Sequence, residues 1–265
     1  MKPLSAWKFF LWLAVVLVCC VGVNKYASSA TIVIQGPVLS PAAGGGGLAE
    51  PDGEALVSNS TVQGTNVSTY TWVGKTTAGA NRLGEWKGAW YNGGEAITSI
   101  TWGGVAMTKA EDEFEVTGWG VASAIYYIVN PPTGASDIVV TWNSTCDMIG
   151  VVSSYKGVDQ STPAPNVNTA VTTMATDDPL TITVTSTAGA LVSDVWGIDA
   201  GDSRTFTFGP GQTEQKNLLA GPSTGNAHMV ASREAAVGTS TVMSWTHTNA
   251  NSHRAGVAVS YKPAP

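Results

Sequence analysis

Gly221-Pro222-Ser223-Thr224-Gly225 fits the Gly-x-Ser-x-Gly pattern that lifts a serine nucleophile onto a sharp strand-to-helix turn. With Glu234 and either His247 or His253 downstream, the order serine, acid, histidine is that of α/β-hydrolases, and the chemistry would be acyl transfer. The surroundings argue against it, because Asn226-Ala227-His228-Met229-Val230 reads as the start of a strand where the motif needs a helix. A Gly-Pro-Ser turn accounts for the match, so a serine hydrolase is only a remote alternative and no catalytic residue is assigned.

His247 and His253 flank one polar loop, but their spacing is not that of a helical zinc site and no third ligand stands out. Carboxylate oxygens for Ca²⁺ are available from Asp194, Asp199 and Asp202 and from the cluster Glu111-Asp112-Glu113-Phe114-Glu115. Neither set has EF-hand spacing, so Ca²⁺ is a weak candidate and no other cofactor is expected. Sugar-ring stacking is the third chemistry. Of the ten Trp, Trp142 and Trp245 recur at equivalent strand positions among apolar residues and read as core. Trp86, Trp90 and Trp119 neighbour Gly, Asn and Lys instead and are the candidate glycan-binding residues.

These side chains need strands to hold them. From residue 56 the chain alternates β-branched or aromatic runs with Gly, Pro, Asn and Asp, as in residues 69–73, 138–142 and 151–155, and no amphipathic helix of three turns is visible. An internal duplication organises the runs. Thr76-Thr77-Ala78-Gly79-Ala80 answers to Ser186-Thr187-Ala188-Gly189-Ala190, and residues 83–90 correspond loosely to 192–199, matching Gly88 to Gly197. Val139-Val140-Thr141-Trp142 answers to Val242-Met243-Ser244-Trp245, and residues 150–156 to 256–262. Alternation then puts Val151, Ser153 and Tyr155 on one face and Val257, Val259 and Tyr261 on another, and equivalent strands should bury equivalent faces. The expected fold is all-β: a two-sheet antiparallel β-sandwich, jelly-roll or immunoglobulin-like, built from duplicated halves at about 56–160 and 170–265. The alternative is two tandem immunoglobulin-like domains.

Several segments in this pattern resemble a poorly characterised family of exported bacterial or phage-encoded β-sandwich modules. They are Ala80-Asn81-Arg82-Leu83, residues 97–108, Ile125-Tyr126-Tyr127, Asn130-Pro131-Pro132-Thr133-Gly134, residues 154–160, Gly209-Pro210-Gly211-Gln212-Thr213 and residues 257–263. The resemblance implies a structural or adhesive module and supplies no catalytic residues. In that family the stretch at residues 83–88 is usually aliphatic; here Glu85 and Lys87 interrupt it, which predicts a strand with a solvent-facing side or one near an edge.

Residues 1–30 read as a secretory signal: Lys2 and Lys8, an apolar run over residues 9–23, and small residues before a cleavage site after Ala30. The run is short for a permanent membrane span, and Cys19 before Cys20 departs from a lipoprotein motif. Residues 31–55, rich in Gly and Pro, form a tether. Only 12% of residues are charged and the net charge is −6 with no basic cluster, which excludes a nucleic-acid surface. Cys146 is the sole cysteine beyond the signal, so no intrachain disulfide is expected; it lies in a polar, turn-like stretch and reads as a packed small side chain. The expectation is a secreted or cell-surface, non-catalytic structural or adhesive module whose partner is an extracellular polysaccharide or surface protein. A carbohydrate-binding module using exposed Trp is the alternative.

Overall fold

The computed structural model describes Glu50–Pro51, Val57–Ser58 and the chain from residue 67 onward, except residues 76, 78, 92–93, 116–119, 176–178, 200–204, 220–226 and 249–251. The segment expected to be a signal, most of the one expected to be a tether, Trp119, Asp202 and Ser223 lie outside the described residues. Everything described falls within the unit Gly44–Pro265.

The first half of the sequence supplies β1 (Glu50–Pro51), β2 (Val57–Ser58), β3 (Val67–Lys75), β4 (Leu83–Tyr91) and β5 (Ile97–Trp102). It continues with β6 (Val105–Ala106), β7 (Thr108–Phe114), β8 (Val121–Val129) and β9 (Ser136–Lys156). The second half supplies β10 (Asn166–Ala175), β11 (Leu180–Thr185), β12 (Leu191–Asp199) and β13 (Phe206–Phe208). After these come β14 (Thr213–Leu219), β15 (Ala227–Ala235), β16 (Ser240–His247) and β17 (Ser252–Tyr261). No helix occurs among the described residues, and every strand pairing there is antiparallel.

The first half forms the order β6-β5-β9-β4-β8-β7, with β1, β2 and β3 also paired to β9. The second forms two sheets, β10-β17-β12-β15-β14 and β11-β16-β13. Strand β9 is 21 residues long where the sequence suggested two short strands around a polar turn. Its N-terminal part pairs with β3 and β5 and its C-terminal part with β4. The polar residues 143–147 are the corner where one strand passes between two sets of partners, and Cys146 turns inward there instead of lying in a turn.

Buried apolar residues separate into three clusters, each fed by period-2 alternation. One holds Trp72, Trp86, Trp90, Trp102 and Trp142 within the first half. Another holds Ile182, Trp196, Met243 and Trp245 within the second. Between them lies a cluster drawn from both halves, with Leu83, Ile125 and Val151 on one side and Val195, Met229 and Val257 on the other. Tyr155 and Tyr261 belong to this shared cluster, so the equivalent faces anticipated from the duplication are buried together. Strands β4 and β12 run through the middle of their sheets and serve two clusters each, which is why both read as almost wholly buried.

Residues 157–163 connect the halves and are held by the returning C-terminal segment. Val158 bridges Pro263, the Asp159 amide donates to the Lys262 carbonyl at 2.8 Å, and the Lys262 amide donates to the Pro163 carbonyl at 2.8 Å. The Asp159 carboxylate accepts from the Ser161 amide at 2.8 Å, the Ser161 hydroxyl at 2.7 Å and the Lys262 ammonium at 2.7 Å. The Lys262 contact is the largest of the effects that hold the Asp159 carboxyl well below its usual range. A depressed folded-state value stabilises the fold above the ordinary carboxylate value and loses that contribution as pH falls through the folded one. Acid unfolding followed by circular dichroism should therefore show less loss of stability below pH ~4 in Asp159→Asn than in the parent, the parent being the more stable at pH ~7.

Glycine is required where the tryptophans approach the backbone. A Cβ on Gly150 would lie 2.7 Å from Trp72 Cζ2 and 2.9 Å from Trp86 Nε1, and one on its counterpart Gly256 would lie 2.6 Å from Trp196 Cδ2. Gly150→Ala and Gly256→Ala should each lower stability by about 1–3 kcal/mol through overpacking. Gly238→Ala, where the added methyl meets nothing within 4 Å, should not. Urea unfolding midpoints of the three variants check this.

Candidate functional site

Glu85 and Lys87 alternate with Trp86 on β4, so when the tryptophan turns into the first-half core both charged side chains turn toward the second half. Both are 0% exposed. The solvent-facing or edge position expected for this strand is thereby corrected: β4 sits between β8 and β9, and its charged face is covered by the other half of the chain.

Glu85 collects donors from both halves. Tyr155 donates to Oε2 at 2.7 Å, Tyr261 to Oε1 at 2.8 Å and Ser193 to Oε2 at 3.1 Å. The two tyrosines occupy equivalent positions in the duplication and converge on one carboxylate. Their rings are tilted against one another at 5.8 Å. Burial first, and then the Glu85 charge, pushes both phenols above their ordinary range, so they remain protonated donors.

Lys87 Nζ lies 3.7 Å from Glu85 Oε2 and donates to Ser193 Oγ at 2.7 Å and to the Ser232 carbonyl at 3.1 Å. It also contacts Gln215 Oε1. Burial lowers the lysine from its ordinary value, with Glu85 and Asp194 acting in the opposite direction. Gln215 reaches inward because it is the extra residue of a β-bulge: Glu214 pairs with Ser232 and Lys216 with Ala231, leaving residue 215 between them. Its Nε2 donates to Ser153 Oγ at 3.1 Å and Tyr155 Oη at 3.2 Å, which fixes the carbonyl side of the amide toward Lys87.

On the opposite face of β12, Asp194 is also 0% exposed. Its Oδ1 accepts from the Ser232 amide at 2.7 Å and hydroxyl at 2.6 Å, and its Oδ2 accepts from Trp245 Nε1 at 2.9 Å. Burial raises the Asp194 carboxyl above its ordinary value, opposed first by the Ser232 hydrogen bond and then by the Lys87 charge. Gln212 extends the chain of contacts, donating to Ser232 Oγ at 2.6 Å and accepting from the Ser244 amide at 2.8 Å. A separate buried pair joins His253 Nδ1 to Glu115 Oε2 at 3.0 Å.

The residues singled out in the sequence are distributed as follows. Trp86 is 0% and Trp90 3% exposed; both pack edge-to-face on Trp142, so neither offers a ring to a sugar, and the exposure expected of them is corrected. Alternation had been obscured there by the Gly and Lys between them. Trp119 lies outside the described residues. Of the calcium candidates, Asp194 has both oxygens engaged by protein donors, Asp199 ends β12 half-buried and Asp202 is not described. Among the described residues no group of three or more His, Cys, Asp or Glu is placed to hold a metal ion. Within the acidic cluster Asp112 pairs with Lys109 at 2.7 Å on exposed strand β7. His247 is buried against Phe206, His253 is committed to Glu115, and β15 follows the Gly-x-Ser-x-Gly segment as a strand. Cys146 is buried and free, its thiol pushed up to about 12 by burial.

Sequence reading does not bring Glu85, Lys87, Gln215 and the tyrosine pair together as a group. Two signals point toward it: the matching places of Tyr155 and Tyr261, and the charges at positions 85 and 87, which the structure turns inward.

Comparison of the chain with protein-family models, curated proteins and solved structures finds no match.

Asp194→Ala should destabilise the protein by about 3 kcal/mol, because Trp245 Nε1 and Ser232 lose a charged acceptor in a dry site. Asp194→Asn, which keeps one oxygen, should recover part of that loss. Guanidinium unfolding monitored by Trp fluorescence measures both.

Proposed function

We propose that the chain is a non-catalytic extracellular structural or adhesive module, exported by the signal at residues 1–30 and presented on the tether at 31–55. In this reading the halves are two small sandwiches, the alternative raised from the sequence in place of one sandwich shared by both, joined through the sheets that meet at Glu85 and Lys87. The three clusters support it, since each half has a core of its own and shares the third. The resemblance to exported β-sandwich modules points the same way.

One observation carries the functional part: Glu85, Lys87 and Asp194 are turned inward and engaged, while outward faces on β11 and β16 and on β3, β5 and β9 carry rows of hydroxyl and methyl groups. On β11 and β16 the exposed positions include Thr181, Thr183, Thr185, Ser240, Val242 and Thr246. In the first half, Thr71, Val139 and Thr101 form one cross-strand row and Thr69, Thr141 and Ser99 another. Such faces suit broad contact with a polysaccharide or a surface protein and offer no convergent acid-base pair. Ca²⁺ has no part in this reading.

The full chain should adsorb saturably to an insoluble extracellular polysaccharide or to a cell-surface protein. Thr183→Lys together with Val242→Glu should weaken adsorption at least tenfold while circular dichroism stays unchanged. Loss on Trp119→Ala instead would transfer the site to an aromatic sugar platform. Absence of adsorption to every such surface would overturn the adhesive reading, and labelling of Ser223 by a fluorophosphonate would replace it with a hydrolase.

A further inference from the structure

Lys87, Glu85, Tyr155 and Gln215 make a closed circuit of reactive groups that a purely cohesive role leaves unexplained. A bulge is spent to direct Gln215 into the layer, and the amide it presents has its carbonyl oxygen on Lys87 Nζ and its nitrogen on Tyr155. Tyr155 in turn touches Glu85, and Glu85 is near Lys87. An amine, a carboxamide and a carboxylate held together away from water are the components of amide exchange.

We propose that Lys87 and Gln215 form an intramolecular isopeptide bond, with Glu85 as the proton acceptor, covalently joining β4 of the first half to β14 of the second. The reaction balances within the chain and needs no oxidant. Glu85 takes one proton from the Lys87 ammonium. The freed lone pair on Nζ forms a bond to Gln215 Cδ, one bond away from the Oε1 it already contacts, as the carbonyl π pair moves onto Oε1. When that pair returns, the Cδ–Nε2 bond breaks and Nε2 leaves with the bonding electrons. The Glu85 carboxyl supplies its proton through the Tyr155 hydroxyl, which lies 2.7 Å from Oε2 and 3.2 Å from Nε2. A second proton leaves Nζ for the ammonia, which departs as ammonium. The products are a secondary amide and one ammonium, and Glu85 is again a carboxylate.

Geometry favours this pair over its neighbours. Ser193 offers Lys87 only a hydroxyl, and attack on the Ser232 carbonyl would break the main chain, whereas attack on Gln215 releases only ammonia. Desolvation supports the step, since burial lowers the lysine and so raises the share of free amine. The bond is independent of what the outward faces hold: its presence or absence is read from mass alone and does not bear on adsorption.

Intact mass spectrometry of the purified full chain, followed by tryptic mapping after denaturation, tests the proposal. The expected result is a mass lower by one ammonia in the folded population. Lys87 should be uncut, and a branched species should unite residues 83–109 with residues 205–216, the segments bounded by Arg82, Lys109, Arg204 and Lys216. Lys87→Met and Gln215→Met should each restore the unmodified count of ammonia. Glu85→Gln should leave the two segments unlinked in the fraction that elutes as folded protein. Cleavage after Lys87 in the parent, with residues 205–216 recovered as a linear peptide, would overturn the bond. Linkage persisting undiminished in Glu85→Gln would overturn the role given to Glu85.

Discussion

The interaction on which this molecule depends is the burial of Glu85 and Lys87 against the opposite half of their own chain. Neither charge is tolerable in an apolar layer alone, and each partner that makes it tolerable comes from a different strand: Tyr155 from β9, Ser193 from β12, Gln215 from β14, Ser232 from β15 and Tyr261 from β17. Apolar neighbours such as Val151, Val195 and Val257 supply most of the burial, but hydrophobic contact is indifferent to small slips. The polar group is not. Satisfying one carboxylate from two tyrosines and a serine fixes the rotation and translation of the halves together.

The β4–β9 and β12–β17 pairs share a register at this layer. Tyr155 faces Leu83 as Tyr261 faces Leu191, and the two tyrosines meet there. The two pairs differ further along. Gly150 stands opposite Gly88 in the first half, but its counterpart Gly256 stands opposite Trp196. Leu83 and Leu191 both face the equivalent tyrosines, so Glu85 corresponds in space to Ser193. Charge on one copy thus meets a hydroxyl on the other, and two carboxylates do not confront one another.

Much of the fold could be read from the sequence because strand alternation and β-branched composition are local. The all-β class, the strands at residues 69–73, 138–142 and 151–155, and the burial of Trp142 and Trp245 follow from periodicity. Aligning the copies on Gly88 and Gly197 placed β4 and β12 one residue out of their structural register. A slip of one exchanges the two faces of a strand, so Glu85 could not be matched to its true partner. Trp86 and Trp90 looked exposed for a related reason. A strand buried on both sides shows no polar face, and two inward charges imitate one. Gln215 had no local mark at all, since its direction arises from a bulge that only the pairing of β14 with β15 reveals.

The charged pair also matters for any β4–β9 face left uncovered by the second half. That face carries Leu83, Val151 and Ile149 as well as Glu85 and Lys87. Hydrated charges at the centre of that face oppose its sticking to another chain, because any partner lacking the tyrosines, Ser193 and Gln215 would have to strip their water without replacing it. Only the chain's own second half makes the exchange favourable. The site that binds the halves is therefore also a gatekeeper, keeping a half-made β-protein from choosing the wrong mate.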